Sequence, residues 1–172
     1  MGRDKAGLII DGQPLWRRQL ATLQATRPTE LFISGKRSAP YAEAGVPIIA
    51  DAPPSVGPLS GLAAALRYAR HEFLLVLAID LPAVTAEFLS ALQGLAAAAG
   101  TGIVSRNDQF FEPLAAIYSQ NCLPLVDECL RSGDHSLQRF IRLAVEQGHV
   151  AIHPLATHEL PLFRNLNFPS DC

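Results

Sequence analysis

The chain has 172 residues, 49% of them hydrophobic, which is enough for one domain whose core needs neither disulfides nor a structural metal. Its formal charge of −2, from 14 basic and 16 acidic residues, disfavours binding to nucleic acid or to anionic membranes. No apolar run reaches the roughly 20 residues that cross a bilayer, so we expect a cytoplasmic protein. The cysteines Cys122, Cys129 and Cys172 form no CxxC pair, and we expect them to be reduced.

Apolar runs typical of buried strands alternate along the chain with segments of helical period. This pattern predicts a three-layer α/β domain, with a mostly parallel central sheet and helices on both faces. The predicted strands are 8–10, 30–34, 46–50, 73–79, 102–105, 114–118 and 150–153. The predicted helices are 14–25, 59–69, 85–99, 124–131 and 136–147, and Thr85 is expected to cap the third of them.

Two aspartates follow apolar runs directly. The run 73–79 has the composition of a central parallel strand that is covered on both faces, and it ends at Asp80; Asp51 follows the run 46–50. We expect both carboxylates at the sheet edge where open α/β folds bind ligands. Asp80 could hold Mg²⁺ there, since Mg²⁺ often needs only one or two carboxylates besides substrate phosphates. A helix cap or a turn explains either aspartate equally well.

A glycine- and proline-containing turn precedes the second predicted helix. Gly57, Pro58, Leu59 and Gly61 open a segment of small residues, a geometry that presents backbone N–H groups and the positive end of a helix. An anion or the edge of a nucleobase could bind at such a turn. A loop-to-helix turn in which Gly61 admits close helix packing is an equally good explanation of the local sequence.

Both ends of the sequence carry further candidate ligand-binding residues. Arg3 and Lys5 place two cations beside a glycine, a composition that can hold phosphate and that is also common in charged termini. Asn165 and Asn167 set two amides on one side of an extended stretch, where they could bind a ligand or tie down neighbouring loops. Of the five histidines, only His149 and His153 have HxxxH spacing, and none has HxH spacing. On the predicted strand 150–153 a spacing of four residues keeps two rings about 13 Å apart, so we predict no histidine metal site.

Taken in chain order, five segments resemble the successive motifs of the molybdopterin guanylyltransferases. They are MGRDK at 1–5, GPLSG at 57–61, DLP at 80–82, EPLAAIY at 112–118 and NLNFP at 165–169. The resemblance implies a Rossmann-like nucleotidyltransferase that uses Mg²⁺ to transfer GMP from GTP to molybdenum-bearing molybdopterin, releasing pyrophosphate. It also implies transient contacts with other proteins of molybdenum cofactor biosynthesis.

The resemblance also implies a role for each matching residue. Lys5 resembles the lysine that contacts nucleotide phosphates and, with Arg3, would offset charge on the leaving pyrophosphate; Asp80 resembles the metal-binding aspartate. Asp51 resembles the aspartate that helps to hold the guanosine, and Ser34 stands where some members carry a nucleotide-contacting asparagine. The family's nucleotide-side loop is matched by Gly57, Pro58, Leu59 and Gly61, and its asparagine pair near the pterin by Asn165 and Asn167.

One departure from the family concerns the ends of the sequence. Family members begin with an apolar strand and an LAGGxSxR-like loop that run into the segment matched by 1–5, and they continue into a terminal helix. We therefore expect 1–172 to be a single domain that is shortened at the N-terminus and stops before that helix. We expect this exact chain to catalyse weakly, because the backbone N–H cradle for the triphosphate is missing.

Two alternatives to a guanylyltransferase remain at this point. One is a cytidylyltransferase or another small-substrate nucleotidyltransferase, because a fold alone does not determine the nucleotide. The segments 57–61 and 165–169 resemble the motifs of the guanylyltransferases rather than those of the pterin cytidylyltransferases, and this resemblance favours guanine over cytosine. The other is a binding module of the same fold with impaired catalysis, against which the presence of Lys5, Asp51 and Asp80 argues.

Overall fold

The computed structural model describes residues 5–36, 39–50 and 55–164. The strands are β1 (Ile9–Ile10), β2 (Gln13–Pro14), β3 (Ile33–Ser34), β4 (Ile48–Ile49), β5 (Phe73–Leu77), β6 (Gly102–Arg106), β7 (Phe111–Ser119) and β8 (Val150–Pro154). The α-helices are α1 (Leu15–Ala25), α2 (Pro58–Tyr68), α3 (Ala86–Ala99), α4 (Leu123–Ser132) and α5 (Leu137–Glu146). Short 3₁₀ helices cover Lys5–Gly7, Gln120–Cys122 and Leu160–Phe163.

Every predicted helix and strand is present, and one short strand was missed. β1 and β2 form a hairpin across Asp11 and Gly12, whose φ angles are 50° and 78°. Left-handed backbone at two successive residues is typical of the tight turns that Asp-Gly pairs make. That dipeptide is the signal from which the hairpin could have been predicted.

The main sheet has four strands in the order β5-β7-β6-β8. β7 is antiparallel to both β5 and β6, whereas β6 and β8 are parallel, so three strands share one direction. β3 and β4 pair in parallel as a separate two-stranded sheet. The α/β class with a Rossmann-like fold is confirmed, and the sheet is mixed.

The prediction that 73–79 pairs in parallel is wrong for its neighbour in the main sheet. β5 pairs antiparallel with β7, and the described residues supply no second strand partner for it. The reason lies further along the chain, between β6 and β7. Only residues 107–110 connect these two strands, whereas a parallel pair needs a crossover of a dozen residues or more.

Side chains from the two faces of the main sheet enter two separate cores. On one face, Val104 and Tyr118 pack with apolar residues of α2, α4 and α5. On the other, Ile103 and Ile117 pack with Phe88, Leu89 and other residues of α3. Because alternate strand residues enter different cores, the sheet is the middle of three layers.

Caps and cysteines agree with the sequence predictions. The Thr85 hydroxyl accepts a hydrogen bond from the Phe88 backbone N–H at 3.2 Å, which caps α3 as predicted. Cys122 and Cys129 are buried free thiols, and burial raises the pKa of both. Cys172 lies outside the described residues. Within the described ranges, no helix is long and apolar enough to cross a membrane.

Two glycines give a stability test with opposite expected signs. A Cβ added at Gly102 would lie 2.7 Å from the Ile117 carbonyl oxygen, so Gly102→Ala should lower the free energy of unfolding by about 1–3 kcal/mol. A Cβ added at Gly94, inside α3, meets nothing within 4 Å. Gly94→Ala should therefore raise the free energy of unfolding by about 0.5–1 kcal/mol. Urea denaturation measures both; equal effects of the two substitutions would contradict the packing described for β6.

Candidate active site

A cavity of about 600 Å³ lies between the two-stranded sheet and β5. Its walls come from α1, α2, the carboxyl end of β3 and the carboxyl end of β5, and Leu114 of β7 contributes to them. Open α/β sheets bind ligands outside the carboxyl ends of their strands, and this cavity has that location. The lining includes five residues that the sequence analysis singled out: Ser34, Gly57, Pro58, Gly61 and Asp80.

The turn before α2 brings the positive end of a helix to the cavity. Gly57 is the N-cap with φ 107° and ψ −163°, a backbone conformation that essentially only glycine adopts. Pro58 occupies the first turn, and the Ser60 hydroxyl accepts a hydrogen bond from the Val56 backbone N–H at 3.1 Å. The helix dipole at this end favours an anionic ligand. The Leu59 side chain is fully buried in the core, so only its backbone could reach a ligand.

Lys5 and Asp80 form an ion pair at the edge of this cavity. Lys5 Nζ lies 3.8 Å from Asp80 Oδ2, and both side chains are about two-thirds buried, with exposed fractions of 37% and 33%. The two residues are 75 positions apart in sequence, and the sequence analysis predicted each of them for the same site. An ion pair this exposed adds little to stability, on the order of 0–1 kcal/mol. Its position matters more, because it places a cation and a carboxylate where a phosphate chain could enter.

Side chains of α1 hold the turn that carries Asp80. Gln19 Nε2 donates hydrogen bonds to the carbonyl oxygens of Ala78 at 2.6 Å and Leu81 at 3.0 Å. Arg18 Nε donates to the Pro82 carbonyl oxygen at 3.2 Å. These bonds fix the chain on both sides of Asp80, which lies just beyond the end of β5. The position of the carboxylate therefore depends on α1 as well as on the sheet.

Sequence reasoning missed Gln19, which is only 4% exposed and lines the cavity. Its Oε1 is buried and has no hydrogen-bond partner among the described residues. An unpaired buried acceptor is costly, so a ligand N–H that reached it would gain a hydrogen bond. One glutamine in an amphipathic helix carries no sequence signal for such a position.

The β3 side of the cavity contains a second feature that sequence reasoning missed. Tyr41 lies against Gly35, and its hydroxyl accepts a hydrogen bond from the Lys36 backbone N–H at 2.9 Å. A Cβ at Gly35 would lie 2.1 Å from that hydroxyl oxygen, so a side chain there would displace Tyr41. Gly35, Tyr41 and Ser34 together form this wall of the cavity.

Four of the predicted site residues cannot be placed. Arg3, Asp51, Asn165 and Asn167 lie outside the described residues. Among the residues that are described, no three His, Cys, Asp or Glu side chains form a group that could hold a metal ion. A single carboxylate such as Asp80 nevertheless suits Mg²⁺, which takes most of its ligands from phosphates and water.

Comparisons with known proteins agree with this geometry. The model of the MobA-like NTP transferase domain matches residues 1–151. A probable molybdenum cofactor guanylyltransferase from Opitutus terrae is 35% identical, and the match covers 99% of this chain and 86% of the relative. A molybdenum cofactor guanylyltransferase from Pseudomonas putida is 33% identical, with 86% of this chain and 78% of the relative covered.

Solved structures show the same relationship. The crystal structure of molybdopterin-guanine dinucleotide biosynthesis protein A from Archaeoglobus fulgidus matches with a TM-score of 0.76 and 26% identity, over 99% of this chain and 87% of that one. A 2-C-methyl-D-erythritol 4-phosphate cytidylyltransferase from Thermus thermophilus matches with a TM-score of 0.74 at 15% identity, over 97% and 89% of the two chains. The second likeness shows the fold alone. By family model, sequence and structure, the chain belongs to the MobA-like NTP transferases, among the molybdenum cofactor guanylyltransferases.

Proposed function

We propose that this protein transfers GMP from GTP to the phosphate of molybdopterin, forming a guanine dinucleotide and pyrophosphate. The observation that carries the proposal is the Lys5–Asp80 pair at the edge of a cavity that the Gly57 turn also lines. A nucleoside triphosphate needs a chamber for its base and sugar, together with cationic groups and N–H dipoles at its phosphates. The names of the relatives supply the choice of GTP and molybdopterin.

The reaction is a substitution at phosphorus. A phosphate oxygen of the acceptor attacks the α-phosphorus of GTP, and the bond from that phosphorus to the bridging oxygen breaks. Pyrophosphate leaves with the electron pair of the broken bond, and a phosphoanhydride joins GMP to the acceptor. Because two anions must approach each other, positioning and charge neutralisation supply most of the catalysis, and no covalent enzyme intermediate is needed.

Different residues of the site bind the nucleotide, neutralise charge on its phosphates and contact the acceptor. The positive end of α2 and the backbone of the Gly57 turn bind the nucleotide, and Ser34, Gly35 and Tyr41 border its base and sugar. Lys5 stabilises negative charge on the phosphates, with Arg3 as a second cation. Asp51 assists in holding the guanosine, while Asn165 and Asn167 contact the acceptor.

Asp80 is the residue that would hold Mg²⁺, with the phosphates and water as the remaining ligands. When bound, Mg²⁺ supplies charge neutralisation at the phosphate oxygens. Gln19 and Arg18 keep the carboxylate in place through the carbonyl groups on either side of it. This support limits the reorganisation that the site needs when the substrates bind.

The closest alternative substrate is CTP, because related folds transfer cytidylate. Isothermal titration of GTP and CTP with Mg²⁺ separates the two. Preferential binding of GTP is expected, whereas preferential binding of CTP would make the protein a cytidylyltransferase. Absence of binding by either nucleotide would favour a module that has the fold without the activity.

Removal of the Asp80 carboxylate should abolish Mg²⁺-dependent transfer. We expect Asp80→Asn to lower kcat for GMP transfer by about 100-fold or more, because the cation loses its protein ligand. The circular dichroism spectrum should not change, since Asp80 is partly exposed and its pairing adds little to stability. Release of pyrophosphate measures the activity. Asp127→Asn is the matched control, because Asp127 is a carboxylate of similar exposure that pairs with Arg67 and does not line the cavity; unchanged activity in Asp80→Asn would refute the assigned role.

Distortion of the turn before α2 should weaken nucleotide binding. Gly57→Ala forces a side chain into a backbone region that favours glycine, although no atom blocks the added Cβ. We expect the Kd for GTP to rise by about tenfold, which corresponds to strain on the order of 1–3 kcal/mol. Gly148→Ala introduces a similar positive-φ strain, at φ 74°, after α5 and away from the cavity lining. If both variants bound GTP as the wild type does, the turn would not be part of the nucleotide site.

A further inference from the structure

Polar side chains from three neighbouring strands line up at the carboxyl edge of the main sheet. Ser105 of β6 is in register with Glu112 of β7 on one side and with His153 of β8 on the other. Register partners on adjacent strands project to the same face, with Cβ atoms about 5 Å apart. We call Ser105, Glu112 and His153 the polar row.

The polar row lies on the face of the sheet that α3 covers. Ile103 and Ala151, two residues before Ser105 and His153, pack against the core that contains Phe88 of α3. The ring centroids of Phe88 and His153 are 6.1 Å apart. The adjacent residue pair, Arg106 and Phe111, stacks on the opposite face, with Arg106 Cζ 5.2 Å from the ring centroid.

An irregularity in β7 places Glu112 in this row. The pairing steps from Val104 with Ala116 directly to Ser105 with Glu112, so β7 advances four residues while β6 advances one. The extra residues bend β7 and change the direction of the side chains that follow. The Tyr118 hydroxyl donates a hydrogen bond to the Pro113 carbonyl oxygen at 2.6 Å, which fixes the bend.

The polar row has hydrogen-bonding capacity that the described residues do not use. The Ser105 hydroxyl is fully buried and has no partner among them. Glu112 receives one side-chain hydrogen bond, from Asn107 Nδ2 to Oε1 at 3.2 Å, although a carboxylate can accept about four. Burial raises the pKa of Glu112 to about 7. A fully buried hydroxyl without a partner beside a half-buried carboxyl group is the composition of a binding site rather than of a core.

The position of the row relative to the nucleotide cavity indicates what it binds. The strand order places β6 and β8 on the far side of β7 from β5, which precedes Asp80. Leu114, two residues from Glu112, is the part of β7 that borders the cavity. The polar row therefore lies along the same edge of the sheet as Asp80. The cavity is on one side of Asp80, and the row is on the other. A molecule that attacks the α-phosphorus while GTP fills the cavity must come from another direction, and the polar row lies on the other side of Asp80 from the cavity.

We propose that the polar row binds the pterin ring of the acceptor and that Glu112 is its specificity-determining residue. This inference rests on the proposed function. A pterin presents a 2-amino group next to a ring N3–H, and these two parallel donors match the two oxygens of one carboxylate. The Ser105 hydroxyl, which can both donate and accept, provides a third hydrogen bond next to Glu112. His153, whose Nε2 lies 3.4 Å from Glu159 Oε2, closes the far end of the row.

The test is the substitution Glu112→Gln. Glutamine keeps the shape of the side chain and can still accept from Asn107, but it replaces one of the two acceptors with a donor. We expect the KM for molybdopterin to rise by about tenfold or more while the KM for GTP stays unchanged. Asp108→Asn is the matched control, because it removes an exposed carboxylate from the adjoining hairpin loop and should alter neither constant. An unchanged KM for molybdopterin in Glu112→Gln would overturn the inference, as would an equal rise in both constants.

The pH dependence of acceptor binding gives a second readout. A purely structural role of Glu112 would not affect it. In the free protein, Glu112 is mostly protonated below pH about 7 and therefore lacks one acceptor. Affinity for the acceptor should rise as the pH increases through about 7 in the wild type, and this part of the profile should be absent in Glu112→Gln. Other charged groups at this edge are Lys5, Asp80, Arg106, His153 and Glu159, and their contributions remain in the variant.

Stability measurements control for misfolding. A carboxyl group whose pKa is raised on folding binds more protons in the folded protein than in the unfolded chain between pH 4.5 and about 7. Its ionisation therefore lowers stability as the pH rises through that range. Glu112→Gln removes this loss, so at pH 8 the variant should unfold at the same urea concentration as the wild type or a higher one. A lower urea midpoint would contradict the raised pKa of Glu112.

Direct binding separates the inference from the proposed function. Titration with free pterin, followed by its fluorescence, does not require transfer. If the wild type transferred no GMP but bound pterin more tightly than Glu112→Gln, the proposed reaction would be wrong and the polar row would stand. If GMP transfer proceeded and the two proteins bound pterin equally, the proposed reaction would stand and the role of the polar row would be wrong.

Discussion

The insertion of β7 between β5 and β6, antiparallel to both, is the constraint on which the rest of the structure depends. Its residues from Ala115 to Ser119 are at most 3% exposed, and alternate side chains enter the cores on both faces. β7 is also the strand that joins β5 to the remainder of the main sheet. Without β7, nothing in the main sheet would fix the position of the turn at Asp80 relative to β6 and β8. The relative positions of the nucleotide cavity and the polar row follow from this one strand.

The charges at the sheet edge are supported from outside the sheet. α1 holds the turn after β5 through side-chain hydrogen bonds to backbone carbonyl groups, and the 3₁₀ helix at Lys5–Gly7 brings the ammonium group to Asp80. Hydrogen bonds between side chains and backbone fix this turn where regular strand pairing ends. Such support limits the reorganisation that the ion pair would need when a charged ligand binds.

Much of this arrangement could be predicted from the sequence. The helices and strands follow from hydrophobic periodicity, and Asp80 and the Gly57 turn were predicted to lie at strand and helix ends. The direction of β7 was missed because apolar content reports burial, while direction depends on the length of the connection. Gln19 and Tyr41 were missed because their roles arise from contacts with residues distant in sequence. Glu112 belonged to a recognised motif, but its side of the sheet depends on the irregular pairing of β7, which periodicity does not encode.

The bend in β7 allows the strand to pair in one register where it crosses the core and in another register at the end of the sheet. Between Tyr118 and Ala116, the strand follows the regular ladder that both cores require. Beyond the bend, Glu112 and the hairpin at 107–110 are in a different phase, held by local hydrogen bonds. Insertions or deletions in this hairpin can therefore accumulate during evolution without shifting any core side chain to the wrong face. A fold built in this way can change the side chains at this end of the sheet while it keeps the cavity beside β5 intact.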